Sequence, residues 1–334
     1  MAELRWNPMI RDWVMCASNR QARPNMPRDW CPFCPGPNKK VPEQYDVFKY
    51  DNDFPALSTT PPAMDMPITP AGHDLYKVAP SYGKCEVILF SPDHHGNLCD
   101  LSDAHMRRLV DLWSERYAAL SADENVRYVF IFENRGELVG VSMPHPHGQI
   151  YAYSKLPKKI EEELESAQAF YSKEGKCLFC RINEEERAFD ERVIYENDSF
   201  VAYIPFFADY TYGVYIAAKA HKGSLSDFDD AERNDLGDII RTVTGAFDAL
   251  FDMRFPYMMC MHNAPCHMEY RFPNAERYSH FHIEFYPPLR AADKQQFQAS
   301  SETGVWAHCN PTRPEDKAVE LRAAVEKFRA RMHH

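Results

Sequence analysis

The sequence predicts an α+β fold built from two tandem copies of one unit, with antiparallel strands joining into a shared sheet. Three observations carry this. A Cys-x-x-Cys turn occurs twice, as Cys31-Pro-Phe-Cys34 and Cys177-Leu-Phe-Cys180. Each copy then has a strand-like run ending in a histidine and followed by an amphipathic helix: Ile88 to His94, then Tyr215 to His221. Each ends on histidines at alternate positions, His145-Pro-His147-Gly-Gln149 and His280-Phe-His282-Ile-Glu284. A repeat of strands plus one long helix, with hairpin-like connections, is the signature of a duplicated α+β unit.

Taken in chain order, Asn52-Asp-Phe54 in the first copy matches Asn197-Asp-Ser-Phe200 in the second, each opening a strand-like segment. The first helix places Met106, Leu109, Trp113 and Tyr117 at three- and four-residue spacing, and the second does the same with Leu236, Ile240, Val243 and Phe247. Such stripes are core-facing. Tyr128 to Asn134 corresponds to Tyr257 to Asn263. Between the copies, the charged run from Leu156 to Lys176 reads as a solvated crossing helix. This divides the chain into an N-terminal domain, residues 1–165, and a C-terminal domain, residues 166–334.

Composition narrows the function. With 334 residues, 45% of them hydrophobic, the chain can bury a large core. A net charge of −11 with no basic stripe argues against nucleic acid as a partner. The N-terminal residues lack an apolar targeting core, and no run approaches the roughly 18 apolar residues of a membrane span. The expectation is a cytoplasmic protein. In a reducing compartment, paired Cys-x-x-Cys turns in a long chain point to metal rather than to disulfides.

Each copy supplies four metal ligands in the same order: Cys31, Cys34, His94 and His145, then Cys177, Cys180, His221 and His280. Two thiolates from a tight turn and two imidazoles make the closed tetrahedral set that zinc prefers in structural sites, so both metals are expected to be scaffolding. On a strand, His145, His147 and Gln149 share a face. With His145 tied to metal, His147 is the candidate nucleophile toward phosphorus. Gln149 can donate to a phosphoryl oxygen but cannot supply a proton, which favours transfer between phosphates, whose leaving group needs no acid, over hydrolysis. A non-catalytic nucleotide-binding zinc protein would have no need of His147.

These residues resemble the histidine-triad superfamily and, within it, the galactose-1-phosphate uridylyltransferase family. The resemblance runs along nearly the whole chain, through Arg20-Gln-Ala-Arg23-Pro, Cys31-Pro-Phe-Cys34-Pro, Asn52-Asp-Phe54, Ser91-Pro-Asp-His94, Phe132-Glu-Asn134 and Gly140-Val-Ser142 leading into His145. It implies tandem histidine-triad-like domains whose sheets form a half-barrel flanked by helices, and a homodimer. It also implies a ping-pong exchange of UMP between UDP-glucose and a hexose 1-phosphate through a uridylyl-His147. On the matching positions, Arg20, Arg23 and Asn52 would meet phosphate or nucleotide, and Asn134, Gly140 and Ser142 the phosphates. Phe297 and Glu302 would lie in the hexose loop, where Gln296 stands at a frequent lysine. In one form of the family the second metal is iron, held by a glutamate and three histidines. Here Glu284 occupies the place of the last of these histidines, and Cys177, Cys180 and His221 are gained. The second site therefore reads as zinc, with iron the alternative, and Glu163, His262 and Glu284 as non-ligands. That second site is similar to the plant ADP-glucose phosphorylase, which makes a nucleotide-sugar phosphorylase the competing activity, although Gly148 favours the transferase.

Overall fold

A computed structural model describes residues 2–22, 30–37, 39–62, 75–141 and 143–332. Its strands are β1 (Ala2–Asn7), β2 (Asp12–Ala17), β3 (Phe48–Asp51), β4 (Val78–Pro80), β5 (Gly83–Leu89), β6 (Tyr128–Arg135) and β7 (His147–Tyr153), then β8 (Val193–Glu196), β9 (Phe200–Tyr203), β10 (Tyr215–Ala218), β11 (Tyr257–His262), β12 (His282–Tyr286), β13 (Leu289–Ala291) and β14 (Lys294–Gln295). The helices are α1 (Asp103–Ser121), α2 (Lys158–Glu174), α3 (Leu178–Phe189), α4 (Asp230–Phe251), α5 (Ser300–Val305) and α6 (Pro314–Met332).

The fold is α+β. Nine strands form one antiparallel sheet in the order β3-β5-β7-β6-β11-β12-β10-β9-β8. The duplication is visible in that order, because β5, β7 and β6 mirror β10, β12 and β11 about the central β6–β11 pair. That pair joins the two copies with Tyr257 opposite Arg135 and Met261 opposite Ile131. The outermost strands, β3 and β8, do not pair with each other, so the sheet stays open. A smaller sheet, β2-β1-β4, holds the N-terminal segment.

The stripes read from spacing face inward. Met106, Leu109, Trp113 and Tyr117 on α1 are buried, as are Leu236, Ile240, Val243 and Phe247 on α4, and all eight join one core that spans both copies. Burying a large apolar side chain contributes roughly 1.5–3 kcal/mol, so this shared layer, rather than the linker, ties the copies together. Each helix begins on a side-chain cap: Ser102 accepts from the His105 amide, and Asp229 from the Glu232 amide. The charged run predicted to cross between copies is α2, which starts after Pro157 and ends at Gly175 with φ of 68°. Asn52 and Asn197 open turns rather than strands: Asn52 Oδ1 accepts from the Phe54 amide at 2.9 Å and Asn197 Oδ1 from the Phe200 amide at 3.0 Å.

One glycine is set by close approach. A Cβ on Gly83, at the start of β5, would lie 2.1 Å from the Ala152 carbonyl oxygen of β7. Gly83→Ala is therefore expected to lower unfolding stability by about 2–5 kcal/mol, since backbone must move to admit it. Urea denaturation checks this, and an unchanged midpoint would contradict it.

Candidate active site

The strand bearing His147 is held from both sides, with Leu89 opposite His147 on β5 and Phe132 opposite Gln149 on β6. Gly148 fits closely between them. A Cβ there would meet the Phe90 ring at 3.0 Å and the Phe132 carbonyl oxygen at 3.1 Å.

His147 Nδ1 lies 2.8 Å from the His145 carbonyl oxygen. A carbonyl can only accept, so Nδ1 carries the proton and the ring's lone pair sits on Nε2. The ring borders a cavity of about 960 Å³ whose walls include Cys31, Cys34, Lys39, His94, Asn134, His145 and Arg254. Phe33 stands off the ring at 6.3 Å between centroids, tilted by 56°.

Beside it, Cys31, Cys34, His94 and His145 present ligand atoms all within 4.8 Å of one another. The Cys34 sulfur is 3.3 Å from His94 Nδ1 and 3.7 Å from His145 Nδ1. Ligands around a tetrahedral zinc lie about 3.3–3.8 Å apart, so the set matches a metal of that size. His145 Nε2 donates to the Ser91 carbonyl at 2.9 Å, which turns the unprotonated Nδ1 toward the sulfurs. Burial holds the His145 imidazole neutral, with a pKa of about 4. Burial and the adjoining Cys31 thiol push Cys34 up to about 11. Two neighbouring sulfurs resist ionising together unless a cation is shared between them, and a divalent metal is such a cation.

The second copy repeats the arrangement. Cys177, Cys180, His221 and His280 form the equivalent cluster, with the Cys180 sulfur 3.4 Å from Nδ1 of both His221 and His280. His280 Nε2 is 2.8 Å from the Ala218 carbonyl. His282 Nδ1 likewise donates to the His280 carbonyl at 2.9 Å. The copies diverge in the surroundings of this second imidazole. Phe179 stacks on the His282 ring at 4.1 Å and 25°, Tyr215 also stacks on it at 5.9 Å, and the side chain is only 7% exposed. The Glu284 carboxylate, 3.5 Å from His282 Nε2, occupies the place Gln149 takes in the first copy. His282 also borders a cavity, a smaller one of about 390 Å³, but its ring lies under two aromatic rings and beside a carboxylate, whereas His147 faces the larger cavity.

Glu163 and His262, read as non-ligands, converge with His282, their donor atoms within 4.8 Å. The cause is register: His262 on β11 sits directly opposite His282 on β12. Glu163 reaches His262 Nδ1 at 2.9 Å, and Glu284 lies 3.3 Å from its Nε2. Burial opposes charge on His262, but these two carboxylates outweigh it and raise its pKa. Lys159 adds an ammonium 2.5 Å from Glu284. The group thus has the donors for a cation and already balances its two carboxylates with Lys159 and His262.

Of the remaining predicted residues, Asn134 reaches the cavity, while Arg23 and Ser142 lie outside the described residues. Gly140 adopts the left-handed conformation, φ 80°, at the end of the turn bordering the site. Arg20 sits in the short helical turn Ser18–Ala22. Neither it, Asn52 nor Gln149 is among the cavity walls; Gln149 Oε1 accepts from Tyr151 Oη at 3.3 Å. Phe297 is 71% exposed, and Glu302 accepts from the Ala299 amide at 3.0 Å as a local cap, so neither faces this cavity. Gln296 is buried with its amide bonded to Thr211 and Asp209, a packing role. Spacing gave no sign of Lys39, Arg254 or Tyr45, which come from loops; Tyr45 Oη donates to the Phe33 carbonyl at 2.7 Å and lies 3.1 Å from His145 Nε2. Phe33 and Phe179, in contrast, hold the same place in the two Cys-x-x-Cys turns.

Fold and site together define a class, duplicated α+β proteins in which a strand-borne imidazole stands beside a cysteine–histidine cluster. The model for the N-terminal domain of galactose-1-phosphate uridyl transferase matches residues 1–157, and that for its C-terminal domain residues 163–316. The chain belongs to the galactose-1-phosphate uridylyltransferase family. It is 39% identical over 323 residues to the galactose-1-phosphate uridylyltransferase of Thermotoga maritima, covering 96% of this chain and 98% of that one. It is 32% identical to the Rattus norvegicus protein of the same name, across 97% of this chain and 88% of the relative. A solved uridylyltransferase, 30% identical, superposes with a TM-score of 0.85 over 97% of this chain and 99% of the other. The ADP-glucose phosphorylase of Arabidopsis thaliana shares the fold at 23% identity and a TM-score of 0.71, over 96% and 99% of the two chains.

Proposed function

We propose that the protein exchanges UMP between UDP-glucose and galactose 1-phosphate through a covalent uridylyl-His147. The observation that carries this is the hydrogen bond from His147 Nδ1 to the His145 carbonyl, which places the lone pair on Nε2. In the first half-reaction Nε2 attacks the α-phosphorus of UDP-glucose and an N–P bond forms. The bond from that phosphorus to the bridging oxygen breaks, and the oxygen leaves on glucose 1-phosphate with its electron pair. In the second, a phosphate oxygen of galactose 1-phosphate attacks the same phosphorus and the imidazole departs with its lone pair restored. No proton has to be supplied to either leaving group, which suits glutamine rather than an acid at position 149.

Cys31, Cys34, His94 and His145 would hold one zinc, and Cys177, Cys180, His221 and His280 a second, with iron the alternative there. When bound, the metals would supply rigidity: His145 would be a ligand through its ring, and its carbonyl is the acceptor that sets the His147 tautomer, so one residue links scaffold and nucleophile.

The test is isotope exchange. Labelled glucose 1-phosphate should enter UDP-glucose in the absence of any acceptor, as ping-pong chemistry requires, and should not enter ADP-glucose. Exchange confined to ADP-glucose would replace this reading with a nucleotide-sugar phosphorylase. Absence of exchange with either would overturn transfer altogether.

A further inference from the structure

On the uridylyl-transfer reading, a phosphate dianion leaves in the first half-reaction and another must be bound for the second. With no acid at position 149, the charge on that phosphate has to be met by a cation already in place. Among the described residues, three cationic side chains line the cavity: Lys39, Arg135 and Arg254. Arg135 is committed elsewhere, bonded to Asp248 at 2.7 Å, lying against the Tyr257 ring and only 9% exposed. Lys39 donates to the Cys31 carbonyl at 2.7 Å and lies over the Trp30 ring at 4.6 Å.

Arg254 is different. It comes from the second copy, on the short loop between α4 and β11, and crosses to the loop that carries His94. There its Nη2 donates to the His95 carbonyl at 2.5 Å. Among the described residues no carboxylate pairs with it, and its Nε and Nη1 have no acceptor. The nearest acid in the chain, Asp252, is taken by Lys327 and by Arg331 at 2.6 and 2.7 Å. The loop is also held in place. Tyr257 is in register with Arg135, and Pro256 packs so closely on Gly136 that a Cβ there would come within 2.9 Å of it. An exposed guanidinium anchored through one nitrogen, with Nε and Nη1 free of protein acceptors among the described residues, in a cavity shared with the nucleophile, is placed to fork a phosphate.

We propose that Arg254 binds the phosphate of the hexose 1-phosphate, so that the second copy completes the active site of the first. The inference rests on the transfer reading above. The experiment uses the full-length, metal-loaded protein and compares Arg254→Gln and Arg254→Lys with the unaltered chain. Arg254→Gln should raise the KM for galactose 1-phosphate about tenfold or more, and Arg254→Lys should recover part of that loss. Metal content and melting temperature should stay unchanged in both. An unaltered KM in Arg254→Gln would overturn the inference. So would a loss of activity matched by loss of metal, which would make Arg254 a tether for the His94 loop only. The two levels of failure are separable: if the unaltered protein forms no adduct, the transfer reading falls; if it does and the KM values agree, only Arg254 loses its role.

Discussion

His147→Ala should lose at least about 10⁴-fold in turnover, because the other described imidazoles on the cavity wall, His94 and His145, are taken up by the cysteine–histidine cluster. Incubated with UDP-glucose and quenched in alkali, the unaltered chain should gain the mass of one uridylyl group on the peptide containing His147, and the variant should gain none. His282→Asn serves as the control. Its imidazole is stacked under Phe179 and faces Glu284, so the adduct should still form on His147. Turnover surviving in His147→Ala, or an adduct found on His282, would defeat the assignment of the nucleophile. The expected size of the effect comes from chemistry: removing the attacking atom leaves direct attack of one phosphate on another, without a covalent relay.

Removing a cluster ligand should be the largest structural perturbation. Cys34 is close to both His94 and His145, and Cys34→Ser should reduce bound metal from two equivalents to one. A structural zinc contributes on the order of 10 kcal/mol to folding where the site does not pre-exist in the unfolded chain. A larger core already orders most of this site, so the expected loss is about 3–6 kcal/mol. Adduct formation should fall with it, since His145 anchors the strand on which His147 is presented. Cys180→Ser should lose the other equivalent and comparable stability yet retain an adduct on His147. Metal analysis with calorimetry on both variants checks this. Two equivalents remaining in Cys34→Ser would remove the cluster from the account.

Both clusters were legible in residue order because the repeat doubled each signal. A single Cys-x-x-Cys is ambiguous, but two, each followed by histidines at corresponding offsets, constrain one another. The buried faces of α1 and α4 were legible for a similar reason, since helical period and hydrophobicity agree along several turns. The strand-like reading of Asn52 failed because the asparagine side chain bonds to the backbone two residues on, a local competitor that periodicity does not register. The hexose-loop residues Phe297 and Glu302 match a pattern in the chain, but in this structure one is exposed and the other caps α5.

Residue order by itself determined the duplication, the two Cys₂His₂ sets and the α+β class, and it pointed to His147 as the nucleophile proposed here, because each depends on local period or on residue chemistry. Tertiary structure alone decided that aromatic rings stack on His282, how Glu163, His262 and His282 meet, and that Arg254 reaches across to the cavity. Those outcomes depend on strand register and on loops packed from opposite copies. Contacts such as that of Arg254 with the His95 carbonyl, 159 positions away, leave no periodic trace in the chain that makes them.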